Sequence, residues 1–151
     1  MRHSDVDPLC SQKRTPGAWA IGVWRSPWSI WTTSNTSTTT RATPWEIAPQ
    51  IAIADVLRDN TCHDAVVARI GGEEFLVADA GMCRQQTEHV RSAIASTVFG
   101  ITASVGAASI PLRQASVLDR DVIDGLIKIA DAAMYDAKRA GGNQTCHHAA
   151  T

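Results

Sequence analysis

The sequence predicts an α+β fold, on three observations. Two apolar, β-rich runs, AVVARI at 65–70 and FLVADA at 75–80, are joined through GGEE, the pattern of a hairpin whose glycines supply the positive φ of a tight turn. Ile123, Ile127, Ala130, Met134 and Ala137 recur at helical spacing between about Asp121 and Ala140. GITASVGAASI, residues 100–110, reads as a further strand, with Gly106 as a bulge or a point of close backbone approach. At 151 residues the chain suits one domain with a real core.

The first 50 residues stand apart from the rest. All five tryptophans (Trp19, Trp24, Trp28, Trp31, Trp45) precede residue 46, and no Asp or Glu lies between Asp7 and Glu46. Residues 32–43 are mostly Thr, Ser and Asn, too poor in apolar side chains to offset the entropy of ordering, so residues 1–50 are expected to be disordered or a damaged segment. From residue 51 the pattern is that of a folded protein. IAIADVLRD predicts a short helix with Ile51, Ala54, Val56 and Leu57 mostly on one side. The hairpin follows, then a helix over 84–97 with Val90 and Ile94 inward, then the strand and the final helix. Gly141 and Gly142 end that helix, as a helix C-terminus prefers, and 146–151 read as a tail.

Composition narrows the partners. With 14 Lys and Arg against 15 Asp and Glu, the net charge of -1 creates no field that draws the whole molecule to nucleic acid or an anionic membrane. Cys10, Cys62, Cys83 and Cys146 are widely spaced, with no CxxC, so neither a zinc site nor a disulfide framework is indicated and a reducing cytoplasm is the default. No apolar run approaches the roughly 20 residues of a membrane helix.

The GGEE tip carries the candidate chemistry. Gly71 and Gly72 put no side chains in the way of a ligand, and Glu73 and Glu74 place two carboxylates beside it, an arrangement that can hold Mg²⁺ on a triphosphate. A solvated acidic turn is the plainer reading of the same four residues. Lys138 and Arg139, in the last turn of the final helix, likewise complement the helix dipole when taken alone.

Together these pieces resemble the GGDEF domain of diguanylate cyclases, in its GGEEF variant. The resemblance rests on ARIGGEEFLV (68–77), ITASVGAA (101–108) and ADAAMYDAKRAGGN (130–143), in order and at the family's spacing, across roughly residues 51–143. It implies a sheet like the palm of nucleotidyl cyclases and some polymerases, central, mostly antiparallel and flanked by helices. It also implies a reaction in which two GTP molecules, one on each of two facing domains of a homodimer, are joined to cyclic di-GMP with release of pyrophosphate. Carried over, Glu73 binds Mg²⁺ (or Mn²⁺), Glu74 assists at the metal or the 3′-hydroxyl, Gly71 and Gly72 pass close to the nucleotide, and Lys138 pairs with phosphate. Gly142 stands where the family usually has Arg, so that phosphate contact falls to Arg139 or is lost. The inhibitory RxxD places hold Cys62 and Ala65, which predicts no product inhibition there.

The family's first half is missing from the text of the chain. A strand and helix reading DxDxFKxxNDxxGHxxGD should precede the hairpin and supply a metal-binding Asp and the guanine contacts. Joining the third base of each codon to the first two of the next recovers it. The Trp31/Thr32 junction is forced to GAC, Asp, and Trp45/Glu46 to GGA, Gly, and the junctions between permit the remaining motif residues at correct spacing. Residues from about 10 to 49 therefore read as a frameshifted first half, and the sheet is expected to lack its first strand and helix. The expected function is a diguanylate cyclase domain impaired as written. The alternative is a non-catalytic module that binds nucleotide weakly or only mediates dimer contacts.

Overall fold

The computed structural model describes residues 18–25, 44–79, 82, 84–111 and 120–149. Its elements are β1 (Ala18–Arg25), α1 (Pro44–Asp59), β2 (Val66–Arg69), β3 (Glu74–Asp79), α2 (Arg84–Ala95), β4 (Ser104–Pro111), α3 (Arg120–Arg139) and β5 (Thr145–Ala149). The five strands form one sheet in the order β2-β3-β1-β4-β5, antiparallel except for the parallel β4–β5 pair. The α+β sheet with flanking helices is the fold expected from the sequence.

One part of that expectation is corrected: a first strand is present. β1 lies in the middle of the sheet, paired with β3 from Ala20↔Asp79 to Arg25↔Glu74 and with β4 from Ala18↔Pro111 to Arg25↔Ser104. A ladder is built from backbone N–H and C=O groups, which every residue but proline supplies, so AWAIGVWR can hold the position without the family's side chains. The family's first helix lies outside the described residues. Residues 145–149 are likewise not a tail, since β5 adds an edge to the sheet beside β4.

Side-chain alternation along β3 and β4 gives the sheet two buried faces. Phe75, Val77, Ala103 and Val105 join Ile53 and Leu57 of α1 and Val90 and Ile94 of α2. Ala108 and Ile110 join Leu126, Ala130 and Met134 of α3, with Leu76 and Ala78 packed against them. The inward faces of α1 and α3 differ from the sequence reading in phase. Ile53 rather than Ile51, which is 55% exposed, pairs with Leu57, and Leu126 rather than Ile123 is buried. In each case a residue two or three positions along falls on the i, i+4 stripe that meets the sheet. α1 is also longer than expected, starting at Pro44 and carrying Pro49 within it.

Gly106 is a close-approach point, as its sequence position suggested. A Cβ there would stand 2.0 Å from the Ala130 carbonyl oxygen and 2.1 Å from the Met134 nitrogen, so only glycine lets α3 lie this near β4.

Candidate functional site

One end of the sheet collects the residues with chemical potential. A single row crosses it there: Glu74 of β3 pairs with Arg25 of β1, which pairs with Ser104 of β4, and the backbone nitrogen of the next residue, Val105, donates to Gln144 just before β5. Neighbouring strands are about 4.8 Å apart, so Glu74 and Ser104 are separated by roughly 10 Å of backbone. The β2–β3 tip projects from one side of this row, and the C-terminal turn of α3 closes the other.

The tip is a wider loop than the tight turn expected from GGEE. Ile70 N–H donates to the Glu74 carbonyl at 2.9 Å, and neither Gly71 nor Gly72 takes a left-handed φ. The positive-φ expectation is therefore corrected: four residues span the gap, and that length removes the need for a left-handed step. Arg69 holds the loop instead. Its Nε donates to the carbonyls of Gly71 (3.1 Å) and Gly72 (3.2 Å), and its Nη2 donates to Gly72 at 2.7 Å. The glycines serve by absence of a side chain. A Cβ on Gly71 would lie 2.8 Å from Glu74 Oε2, while one on Gly72 would meet nothing within 4 Å. Glu74 thus folds over Gly71, Gly72 faces open space, and both glutamates are half-buried.

On the other side, α3 ends in a Schellman turn. Gly142 N–H donates to Ala137 (3.0 Å) and Gly141 N–H to Lys138 (3.2 Å), with Gly141 at φ 114°, Gly142 at φ 72° and Asn143 at φ 48°. Position 142 faces the row, since a Cβ there would lie 3.5 Å from the Ser104 hydroxyl. Lys138 is half-buried in the last turn. Arg139 is exposed, with its guanidinium 5.9 Å from the Tyr135 ring centroid on the outer side of the helix.

The sequence reading named the hairpin carboxylates, the two tip glycines, Lys138 and Arg139, and did not name Arg69 or a polar chain behind the turn. In that chain Thr145 Oγ1 donates to Glu88 Oε2 (3.0 Å), Arg91 Nε donates to Glu88 Oε1 (2.8 Å), and Arg91 Nη1 donates to Asn143 Oδ1 (2.6 Å). The Arg91 hydrogen bond holds the Glu88 carboxyl below its ordinary range, and Glu88 in turn raises Arg91. The Glu88 and Arg91 spacing, i and i+3 on a helix, was the available signal.

No group of three or more His, Cys, Asp or Glu side chains among the described residues is arranged to hold a metal. The donor set, two adjacent carboxylates on an open tip, fits a magnesium ion that arrives on a triphosphate and keeps phosphate and water ligands, rather than a caged resident ion. Cys62, in the first RxxD place, is buried, and its N–H donates to the buried Asp79 carboxylate at 3.3 Å; Cys62 and Cys146 are both free thiols. No described helix is long and apolar enough to cross a membrane.

Comparison with known proteins agrees with this fold. The profile of the family described as "Diguanylate cyclase, GGDEF domain" matches residues 51–144. No curated protein matches the chain. Among solved structures, the diguanylate cyclase SiaD from Pseudomonas aeruginosa, in complex with its activator SiaC, is 21% identical with a TM-score of 0.63, over 91% of this chain and 52% of that one. The chain thus spans about half the length of SiaD. The active GGEEF domain of a Vibrio cholerae diguanylate cyclase is 17% identical with a TM-score of 0.66, over 89% of this chain and 85% of that one. The GGDEF domain of DgcB from Caulobacter crescentus, in complex with c-di-GMP, is 18% identical with a TM-score of 0.59, over 94% and 85% respectively.

Proposed function

Because the chain belongs to the GGDEF-domain family of diguanylate cyclases, we propose that it is a cyclase domain by descent that still holds nucleotide phosphates but does not condense GTP at a cyclase's rate. The observation that carries this reading is the central strand. β1 contains no carboxylate, and its last residue, Arg25, stands in register with Glu74, so the strand beside the hairpin supplies no acidic ligand to go with Glu73 and Glu74. The family profile begins at residue 51, which supports the reading of residues 10–49 as a frameshifted first half.

What remains is the phosphate-facing part. Glu73 and Glu74 would hold Mg²⁺ on the triphosphate of GTP, where the ion neutralises phosphate charge. Gly72 leaves room for the nucleotide's approach, and Lys138 supplies positive charge from the end of α3. Condensation needs more: each ribose 3′-oxygen must form a bond to the α-phosphorus of the other GTP while the bond to the β-phosphate breaks and pyrophosphate leaves. That requires two facing copies with both nucleotides aligned, and alignment accounts for much of such a rate. With the Asp and the guanine contacts absent, Glu73 and Glu74 cannot fix the nucleotide in that geometry. A cytoplasmic setting, where GTP and magnesium meet, is part of the same proposal.

The test compares the full chain with a version in which residues 29–47 carry the shifted-frame motif, both assayed for cyclic di-GMP from GTP and Mg²⁺ by chromatography. Loss of about 4 kcal/mol of transition-state stabilisation makes the chain as written roughly 1,000-fold slower. Equal rates overturn the proposal.

A further inference from the structure

The chain Thr145–Glu88–Arg91–Asn143 joins parts of the molecule that the sheet keeps apart. α2 packs on one face and α3 on the other, and Asn143 lies in the turn that leads from α3 around the sheet's end to β5. That turn has three consecutive residues at positive φ, one of them not glycine. Each left-handed step at a non-glycine residue costs about 1 kcal/mol, so the conformation persists only where its surroundings hold it. Beyond the two backbone bonds of the Schellman turn itself, three bonds do so: Arg91 to Asn143 Oδ1 at 2.6 Å, Gln144 Nε2 to the Ala137 carbonyl at 2.9 Å, and Val105 N–H to the Gln144 carbonyl at 2.9 Å. The Arg91 bond alone reaches across from the opposite helical layer. Its side chain is only 16% exposed, and Glu88 fixes the guanidinium through its Nε and Nη2.

We propose that Arg91 is a positioning residue: clamped by Glu88, it holds the Gly141–Asn143 turn and so sets the end of α3, with Lys138, for the phosphates of a nucleoside triphosphate. The phosphate half rests on the reading of the site given above; the clamp does not. Arg91 touches no ligand in this scheme and acts through Asn143.

The test uses the full chain and its Arg91→Ala, Arg91→Lys, Asn143→Ala and double Ala variants. Hydrogen exchange reads the turn, and titration with magnesium tripolyphosphate, which needs no guanine contacts, reads the site. Either Ala variant is expected to speed exchange over 138–145 about tenfold, leave 66–79 unchanged, and weaken tripolyphosphate about tenfold, equivalent to 1.4 kcal/mol. The double variant should be no worse than the single ones, since both remove one interaction. Arg91→Lys should not rescue, because an ammonium lacks the planar fork that serves Glu88 and Asn143 together. Unchanged exchange, or additive losses in the double variant, overturns the clamp. A loosened turn with unaltered tripolyphosphate affinity overturns the positioning role and leaves Arg91 merely structural. A parent chain that binds no tripolyphosphate overturns the phosphate half together with the site's reading, and the exchange result then still decides the clamp by itself.

Discussion

β1 and β4 lie side by side and share one register from Ala18↔Pro111 to Arg25↔Ser104, yet the family profile reaches only β4. β4 is fitted to its place residue by residue. Gly106 admits α3, Val105 faces α1 and α2, and Ala108 and Ile110 face α3. β1 holds its place through the ladder, with a sequence that lacks the carboxylate the site calls for. A sheet can be completed by backbone alone, whereas a metal and nucleotide site cannot. Solved cyclase domains accordingly match more of the chain, about nine tenths, than the family's sequence pattern, which covers 51–144.

The contrast can be broken most forcefully at Gly106. Gly106→Val places side-chain carbon against the Ala130 and Met134 backbone and should cost at least about 3 kcal/mol, read as a lower urea midpoint. Val23→Pro tests the neighbouring strand in the same assay. Proline removes a ladder donor from a central position, so a loss of about 3 kcal/mol is expected, and an unaltered midpoint would show that β1 does not carry the sheet.

Smaller effects sharpen the comparison at the hairpin. Glu73→Gln and Glu74→Gln each remove one of the two carboxylates and should weaken magnesium tripolyphosphate about tenfold without moving the urea midpoint by more than about 0.5 kcal/mol. Gly71→Ala pushes the flexible end of Glu74 aside; the fold should be almost unaffected and tripolyphosphate binding reduced less than by loss of the carboxylate itself.

The smallest effect is on pH. Burial, aided by the Arg84 charge, lowers the His147 pKa below its ordinary 6.5. The unfolded chain therefore takes up a proton before the folded one does, and stability should fall as pH drops from 6.5 toward the folded value. Glu88, also lowered, loses its contribution further toward acid, as pH falls from 4.5 through its folded value. A thermal melt series should show the first decline, and His147→Asn should remove it.

Much of the second half was legible from local pattern. The strand runs around GGEE, the helix over 84–95, the Schellman glycines and the close approach at Gly106 all depend on residues near one another in the chain. The helix phases at Ile51 and Ile123 were misjudged because several stripes satisfy helical spacing and only contact with the sheet selects one. β5 escaped notice because TCHHA is short and polar, and its strand character comes from parallel pairing with a segment about 40 residues earlier.

Sequence by itself determined the family, the hairpin carboxylates and the absence of any Asp or Glu between Asp7 and Glu46, since each is a matter of residue identity. Tertiary structure alone decided that an unrelated segment completes the sheet, that Arg69 rather than glycine φ shapes the tip, and that Arg91 reaches Asn143. These are pairings between distant parts of the chain, and their partners are chosen by which backbone and polar groups burial leaves facing one another.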